Sequence, residues 1–275
     1  MTTTHPDLDA VALDSAPLNS VALGAVALDA TGPVATLTLG TGRRLNALGP
    51  DDWAALARDA VSLAGREDLR AVVIRGAGGV FCSGSDLREW DGATQEEVSE
   101  SFAGMEAALQ AIEDIPAPTV AVVEGFATGA GCQLALACDL QLVNRSAKIG
   151  MPIGRLGLLV PATFATRMSL LVGPGRTKEL LYGGRLLPAP EAHQMGLITT
   201  LVDDGAVDNS LSELLAQWDG LSAASLRASK AAVNYGLNPL VHPARRASQG
   251  AASDPDEFAW RLDVFLNRHK PRASR

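Results

Sequence analysis

Cysteine is scarce in this chain: Cys82, Cys132 and Cys138 are the only three in 275 residues. An odd number in apolar surroundings offers no disulfide framework and points to a reducing compartment. There is no CxxC pair and no His-rich spacing, so no metal site is expected. Basic charge is also short. Lys and Arg number 23 against 31 Asp and Glu, which leaves a net charge of −8 and a pI of about 5.0. That balance argues against non-specific binding to nucleic acid or to an anionic membrane, both of which need a basic face. It leaves an anionic small ligand open, because a few local cations suffice. Long uncharged apolar runs are missing too. A membrane-spanning helix needs about 20 such residues. The longest apolar stretch, from Ala117 to Cys138, is cut by Glu124 and by glycines. Met1 to Asp9 holds one His and two Asp rather than the basic opening of a secretory signal. The cytoplasm is therefore the expected location.

What the chain does have is apolar material, at 47% of residues. That is too much for a disordered polypeptide, and the length allows one large domain or a core with an appendage. The opening residues repeat loosely, as Val11–Asp14, Val21–Gly24 and Val26–Asp29. They read as a flexible leader over 1–24 that runs into a first strand. Ala25–Leu28 and Val34–Leu39 flank the turn residues Thr31, Gly32 and Pro33, which predicts a hairpin. Trp53, Leu56, Ala57, Ala60 and Leu63 recur on one helical face behind Pro50 and Asp51. Ala71–Ile74 and Thr119–Val123 are continuous apolar runs of the kind buried parallel strands show. Between them, Gln95–Ile112 carries a helical pattern that Pro116 and Pro118 close. Gly125–Gly131 reads as a loop, Cys132–Cys138 as a short buried helix and Leu140–Val143 as a strand. The alternation implies an α/β core over 25–205. Helical patterns at Leu211–Trp218, Ala223–Asn234 and Pro255–Leu266 imply a helical C-terminal region over 206–275.

Two glycine-bearing segments stand out: Phe81-Cys-Ser-Gly-Ser-Asp-Leu87 and the run from Val123 to Asp139. Gly84 follows a strand end, and Gly129-Ala-Gly131 precedes a helix. A helix N-terminus offers unpaired N–H donors and partial positive charge, and small residues let a ligand oxygen come close. Two such donors converging on one oxygen form an oxyanion hole. Together these segments resemble the crotonase, or enoyl-CoA hydratase/isomerase, superfamily. Arg44–Leu48, Ala147–Pro152, Gly173–Leu180, Glu191–Leu197 and Phe265–Pro271 resemble further family segments in the same order, so the likeness runs from about residue 25 to 271.

The resemblance implies an α/β fold, a spiral of ββα units with C-terminal helices, that assembles as a trimer or a dimer of trimers. It implies an acyl-CoA as substrate, with no further cofactor, and passage through an enolate. The donors would be the backbone N–H groups of Ser85 and Ala130, the latter where the family usually has Gly. Arg43, Arg44 and Lys270 fall at positions that meet the CoA phosphates, and Ser83, Asp86 and Leu87 in the first motif are assigned to CoA as well. Trp90, Phe102, Met105, Phe164 and Phe265 would wall the pocket.

The chain departs from the family where the hydratases carry two glutamates. The first position is Gln133 and the second Ile153, and Pro161 is followed by Ala162 rather than an acid. Neither Gln nor Ile can carry a proton near neutral pH. Other polar groups could carry the proton in their place. Asp86 suits a helix cap, Glu89 a place near the pocket mouth, Glu124 a loop anchor and Asp139 a structural end group, while His193 lies too far along. Arg155, beside the second glutamate position, suits either a loop salt bridge or a substrate carboxylate. The open alternatives are an acyl-CoA binder or assembly subunit without catalysis, and a decarboxylase or C–C hydrolase of the same family. A spiral-fold serine peptidase fits poorly, because Ser83 and Ser85 lack an evident His partner.

Overall fold

The computed structural model describes residues 26–40, 42–241, 253–254 and 257–267. The expected leader over 1–24 lies outside them. β1 (Val26–Asp29) and β2 (Val34–Leu39) form the antiparallel hairpin read from the sequence. Asp29 holds its turn by accepting hydrogen bonds from the amide and hydroxyl of Thr31, at 3.2 and 3.0 Å. Alternation along β2 sends Ala35, Leu37 and Leu39 inward, all fully buried, as a period of two requires.

Helical returns then build a parallel sheet. α1 (Pro50–Ala64) leads to β3 (Ala71–Gly76), and α2 (Gln95–Glu113) leads to β4 (Thr119–Val123). α2 starts at a capping box: the Thr94 hydroxyl accepts from the Glu97 amide at 3.2 Å, and Glu97 accepts from the Thr94 amide at 2.7 Å. Such a box satisfies two donors that a helix start leaves open. After β4 come β5 (Phe126–Thr128), the wholly buried α3 (Ala130–Ala137) and β6 (Leu140–Asn144). The rest of the chain supplies β7 (Lys148–Gly150), α4 (Ala162–Gly183), β8 (Leu187–Pro188), α5 (Ala189–Met195), β9 (Thr200–Val202), α6 (Val207–Asp219), α7 (Ala223–Val241) and α8 (Phe258–Asn267).

The large sheet has the order β1-β2-β3-β4-β6-β9 and is parallel after the first hairpin. One of its faces packs on α1, α2 and α3 in the main core. The other meets α6, where Val73, Val120, Val122 and Leu142 bury against Val207 and Leu211. Cover on both faces explains the unbroken apolar strands. A small second sheet, β5-β7-β8, stands beside it. Its first strand occupies the segment expected to be a loop. α4 was not expected. It passes through Gly173 and Pro174, where Gly173 takes φ 78° and bends it, as Pro in a helix interior demands. α7 is tied to the core by Lys230, whose Nζ sits 2.8 Å from the Asp139 carboxylate. Asp139 also accepts from the amide and hydroxyl of Thr119, so its role is the structural one expected.

Candidate functional site

After β3 the chain turns at Gly78 and Gly79, both at positive φ, and runs on through residues 80–86 with a further turn at Gly84. Bonds to both sides hold this run. Cys82 donates to the Phe126 carbonyl (2.9 Å) and Thr128 donates to the Cys82 carbonyl (3.0 Å). On the other side Ser83 donates to the Leu45 carbonyl (2.9 Å) and Asp86 to the Leu48 carbonyl (3.0 Å). The Leu48 amide in turn donates to the Gly84 carbonyl at 2.8 Å. Among the described residues the Ser85 amide and the Ala130 amide at the start of α3 donate to no backbone acceptor.

Glycine brings these two amides together. Gly84 has φ 97°, and a Cβ there would stand 2.8 Å from the Thr128 carbonyl oxygen and 3.0 Å from the Ala130 nitrogen. A Cβ on Gly131 would stand 2.2 Å from the Cys82 carbonyl oxygen. Only hydrogen fits at either place. Gly129, ahead of α3, takes φ 56° and ψ −125°, and its amide donates to the Gly150 carbonyl at 2.9 Å.

The neighbouring strip is strained. Arg44, Leu45 and Asn46 follow one another at φ 50°, 53° and 56°, a left-handed run rare for residues with side chains. Asn46 is fully buried and over-determines it. Its Oδ1 accepts from the Gly42 amide (2.9 Å), and its Nδ2 donates to the carbonyls of Ala77 (2.9 Å) and Val80 (2.6 Å). The run delivers Arg44 to Asp86, with Nη1 at 2.7 Å from Oδ2.

A cavity of about 670 Å³ opens beside the two free amides. Ser83, Ser85, Asp86, Leu87, Arg44, Ala130, Ile153 and Arg155 line it, and so do all five expected wall residues, Trp90, Phe102, Met105, Phe164 and Phe265. Trp90 stacks on Phe102 with ring centres 5.6 Å apart, and Phe102 lies 6.2 Å from Phe164. The Ser85 hydroxyl donates to the Met105 sulfur at 2.9 Å, while its amide keeps no such partner. α8 folds over the cavity of its own chain and contributes Arg261, Val264, Phe265 and Leu266.

Several sequence candidates fall elsewhere. Gln133, assigned to catalysis, is fully buried and is not among the lining residues. Its Oε1 accepts from Arg167 Nη1 at 3.0 Å, and Arg167 donates through Nε to Glu113 at 2.7 Å. Gln133 thus faces a buried polar cluster behind the cavity, because every side of α3 is enclosed. Glu89, expected near the mouth, instead lines a separate cleft of about 480 Å³ with Pro50, Trp53 and Glu97. Trp90 borders both spaces. Asp86 is engaged by Arg44 and accepts from the Arg88 amide at 3.2 Å, which makes it the expected cap of the turn Leu87–Trp90. Arg43 is exposed and does not line the cavity. Lys270 lies outside the described residues. Glu124 pairs with Arg75 at 3.7 Å, and His193 is exposed on α5. Lys148, Asn46 and Arg167 were not anticipated. Lys148 and Asn46 left a sequence signal, as residues inside the Ala147–Pro152 and Arg44–Leu48 motifs.

Among the described residues no three His, Cys, Asp or Glu side chains are grouped to hold a metal, and no helix is long and apolar enough to cross a membrane. Cys82 and Cys132 are fully buried, which pushes each thiol up to about 12. They are therefore not nucleophiles at neutral pH.

The fold and cavity define a class: a parallel α/β sheet whose glycine loops present two backbone N–H donors to a largely apolar pocket. A family model described as enoyl-CoA hydratase/isomerase matches residues 29–258. The chain is 35% identical over 208 residues to an enoyl-CoA isomerase/hydratase of Mycosarcoma maydis, covering 74% of this chain and 75% of that one. A crystal structure of an enoyl-CoA hydratase/isomerase family protein from Hyphomonas neptunium superposes with TM-score 0.74 at 31% identity, over 90% of each chain. A Thermobifida fusca enoyl-CoA hydratase structure in complex with acetoacetyl-CoA gives TM-score 0.70 at 30% identity, over 81% of this chain and 91% of that one. The chain belongs to the enoyl-CoA hydratase/isomerase family, within the crotonase superfamily.

Proposed function

We propose that this protein binds an acyl-CoA with its thioester oxygen between the Ser85 and Ala130 amides and stabilises the enolate that forms there. The observation that carries the reading is the meeting of these two donors, free of backbone partners, at the cavity. The acetoacetyl-CoA complex of the Thermobifida fusca relative supports it. Removing one such donor typically costs about 10²–10³ in rate, so a backbone hole alone is worth having. Arg44, Ser83 and Leu87 border the same space and would meet CoA beside the first donor; the thioester is the substrate and no other cofactor is invoked.

The proton carrier is the open part of the mechanism. Ile153 lines the cavity without a titratable group, and Gln133 is turned away. Asp86, held by Arg44, is the single carboxylate among the lining residues. General acid–base help is worth about 10²–10⁴, so this site is poorly equipped for simple hydration. The same observation favours a second reading, in which the chain binds acyl-CoA without turnover or acts as a decarboxylase or C–C hydrolase whose step needs the oxyanion hole more than an acid.

Crotonyl-CoA tests both. Tight binding with no loss of the enoyl absorbance retains the acyl-thioester site and removes simple hydration. Rapid loss restores hydration and requires a held water or another group. No binding by folded protein removes the proposal. Val233 and Tyr235 on α7 are 62% and 86% exposed, and such side chains suit contact with a second copy. A trimer, or a dimer of trimers, is the assembly we assign, and light scattering measures it. Three buried free thiols fit a reducing, cytoplasmic location.

A further inference from the structure

Three helices that wall the cavity repeat one arrangement. Ala130 on α3, Phe102 on α2 and Phe164 on α4 line the space. One turn further along each helix stands a polar residue: Gln133, Glu106 and Arg167. Spacings of three and four put both members of such a pair on one helical face. The apolar wall is thus continued, one turn on, by a largely buried polar layer.

Arg167 joins that layer. From α4 its Nε donates to Glu113 at 2.7 Å and its Nη2 to Glu106 at 3.5 Å, both on α2, while its Nη1 donates to Gln133 Oε1 at 3.0 Å. Glu106 also accepts from the Thr163 hydroxyl at 2.9 Å. A guanidinium only donates, so the Gln133 carboxamide must turn its oxygen towards it. Gln133 Nε2 is buried with no hydrogen-bond partner among the described residues. The bond to Arg167 is therefore the one that orients this amide.

α3 needs such a tie. It has eight residues, and a helix that short has little stability of its own. Gly129 brings no side chain to cap it, and the side chains of α3 other than Gln133 are those of Ala, Gly, Cys and Leu. Apolar packing is non-directional, whereas a hydrogen bond weakens steeply with angle. Gly131 sets how closely α3 approaches the Cys82 carbonyl. The Gln133–Arg167 bond sets how far the helix is turned about its axis, and with it the aim of the Ala130 N–H.

We propose that Gln133 and Arg167 are positioning residues for the second donor: Arg167, anchored on α2, holds Gln133 and so aims the Ala130 N–H at the thioester oxygen. The inference rests on the acyl-thioester reading above. Calorimetry with butanoyl-CoA and S-butyl-CoA, a thioether that lacks the carbonyl oxygen, tests it. The native protein should bind the thioester about tenfold tighter, the upper range for one net hydrogen bond. Difference infrared spectra of carbonyl-labelled butanoyl-CoA should show its C=O stretch lowered on binding. Gln133→Met keeps the length of the side chain without the acceptor. It should cut the thioester preference to about threefold, half that free energy, and return the C=O band towards its position in water, with S-butyl-CoA affinity unchanged. Arg167→Lys keeps a charge for Glu113 without the fork and should do the same. The double variant should lose no more than either single one, as a shared path requires. Three results overturn the proposal: a preference and C=O band unchanged in Gln133→Met, an equal loss for thioester and thioether, or additive losses in the double variant. If the native protein binds neither ligand, or prefers neither, the acyl-thioester reading itself falls, and the two failures are thereby distinguished. Gln133→Met removes the orphan N–H together with the acceptor, which limits its cost, and melting curves verify that each variant folds.

Discussion

On one wall of the cavity the groups offered to a ligand are backbone amides, and on another they are side chains. The amide wall, residues 83–86 and 128–131, is held by hydrogen bonds from two flanking segments and by glycines that no other residue can replace. The side-chain wall, from Met151 to Leu158 with Phe164 and α8, is apolar and carries one unpaired guanidinium. The difference bears on how function can change. A backbone donor survives almost any substitution at its own position, because its N–H does not depend on the side chain. An acid exists only while its side chain does. An oxyanion site can therefore persist while its proton chemistry is replaced.

That comparison is broken most severely from behind the amide wall. Arg167 is 4% exposed and joins Gln133 on α3 to Glu113 on α2. Arg167→Met should cost about 3–5 kcal/mol, the range for breaking a buried ion pair, read as a lower urea midpoint. A loss below 1 kcal/mol would mean that the cluster does not hold α3. The next largest effect belongs to Gly131→Ala. Its methyl would stand 2.2 Å from the Cys82 carbonyl, where backbone rather than a flexible side chain must yield. We expect about 3 kcal/mol of destabilisation, the upper end for overpacking, together with loss of acyl-CoA binding. Normal binding by this variant would show that the two donors need not meet.

The side-chain wall is sharpened in the opposite direction. Ile153→Glu returns a carboxylate to a half-buried position on the cavity. If only the acid is missing, crotonyl-CoA hydration should rise about a hundredfold, the lower bound for general acid–base help. No rise in folded protein would mean that the amide wall holds the thioester in a different pose.

Much of this division was legible in the sequence. Glycine spacing marked both amide loops, and apolar runs marked β3, β4 and β6. Five large residues scattered from Trp90 to Phe265 were correctly brought to one cavity. The failures have physical causes. β5 is three residues long, too short for any period to register, and exists because Cys82 and β7 pair with its backbone. α4 was hidden by Gly173 and Pro174, which punctuate a helix that tertiary packing carries through. The direction Gln133 faces is not legible in the sequence because all of α3 is buried, so no polar face marks which side meets the cavity. Strain at Arg44–Asn46 left no trace in composition at all, since it arises from bonds that Asn46 makes to residues more than thirty positions away.

The smallest effect concerns the thiols beneath the amide wall. Cys82 donates from Sγ to the Asn46 carbonyl at 3.2 Å, directly under the first donor. Burial raises its pKa from 9.0 to about 12, against a lesser lowering by the Gly84 amide; Cys132 is raised likewise. At pH 8 all three thiols of the native protein should be silent to Ellman's reagent, and urea should release three equivalents. A folded-state pKa above the unfolded value means that the thiol favours the fold fully below pH 9, where both states are protonated. From there towards pH 12 the unfolded chain ionises first, and stability falls as pH rises. Cys132→Ala should flatten that alkaline slope without moving the urea midpoint's dependence on pH between 6 and 8. A native thiol that reacts at pH 8 would show that the amide wall opens on the timescale of the reagent, and that its rigidity, the basis of the contrast with the side-chain wall, is only local.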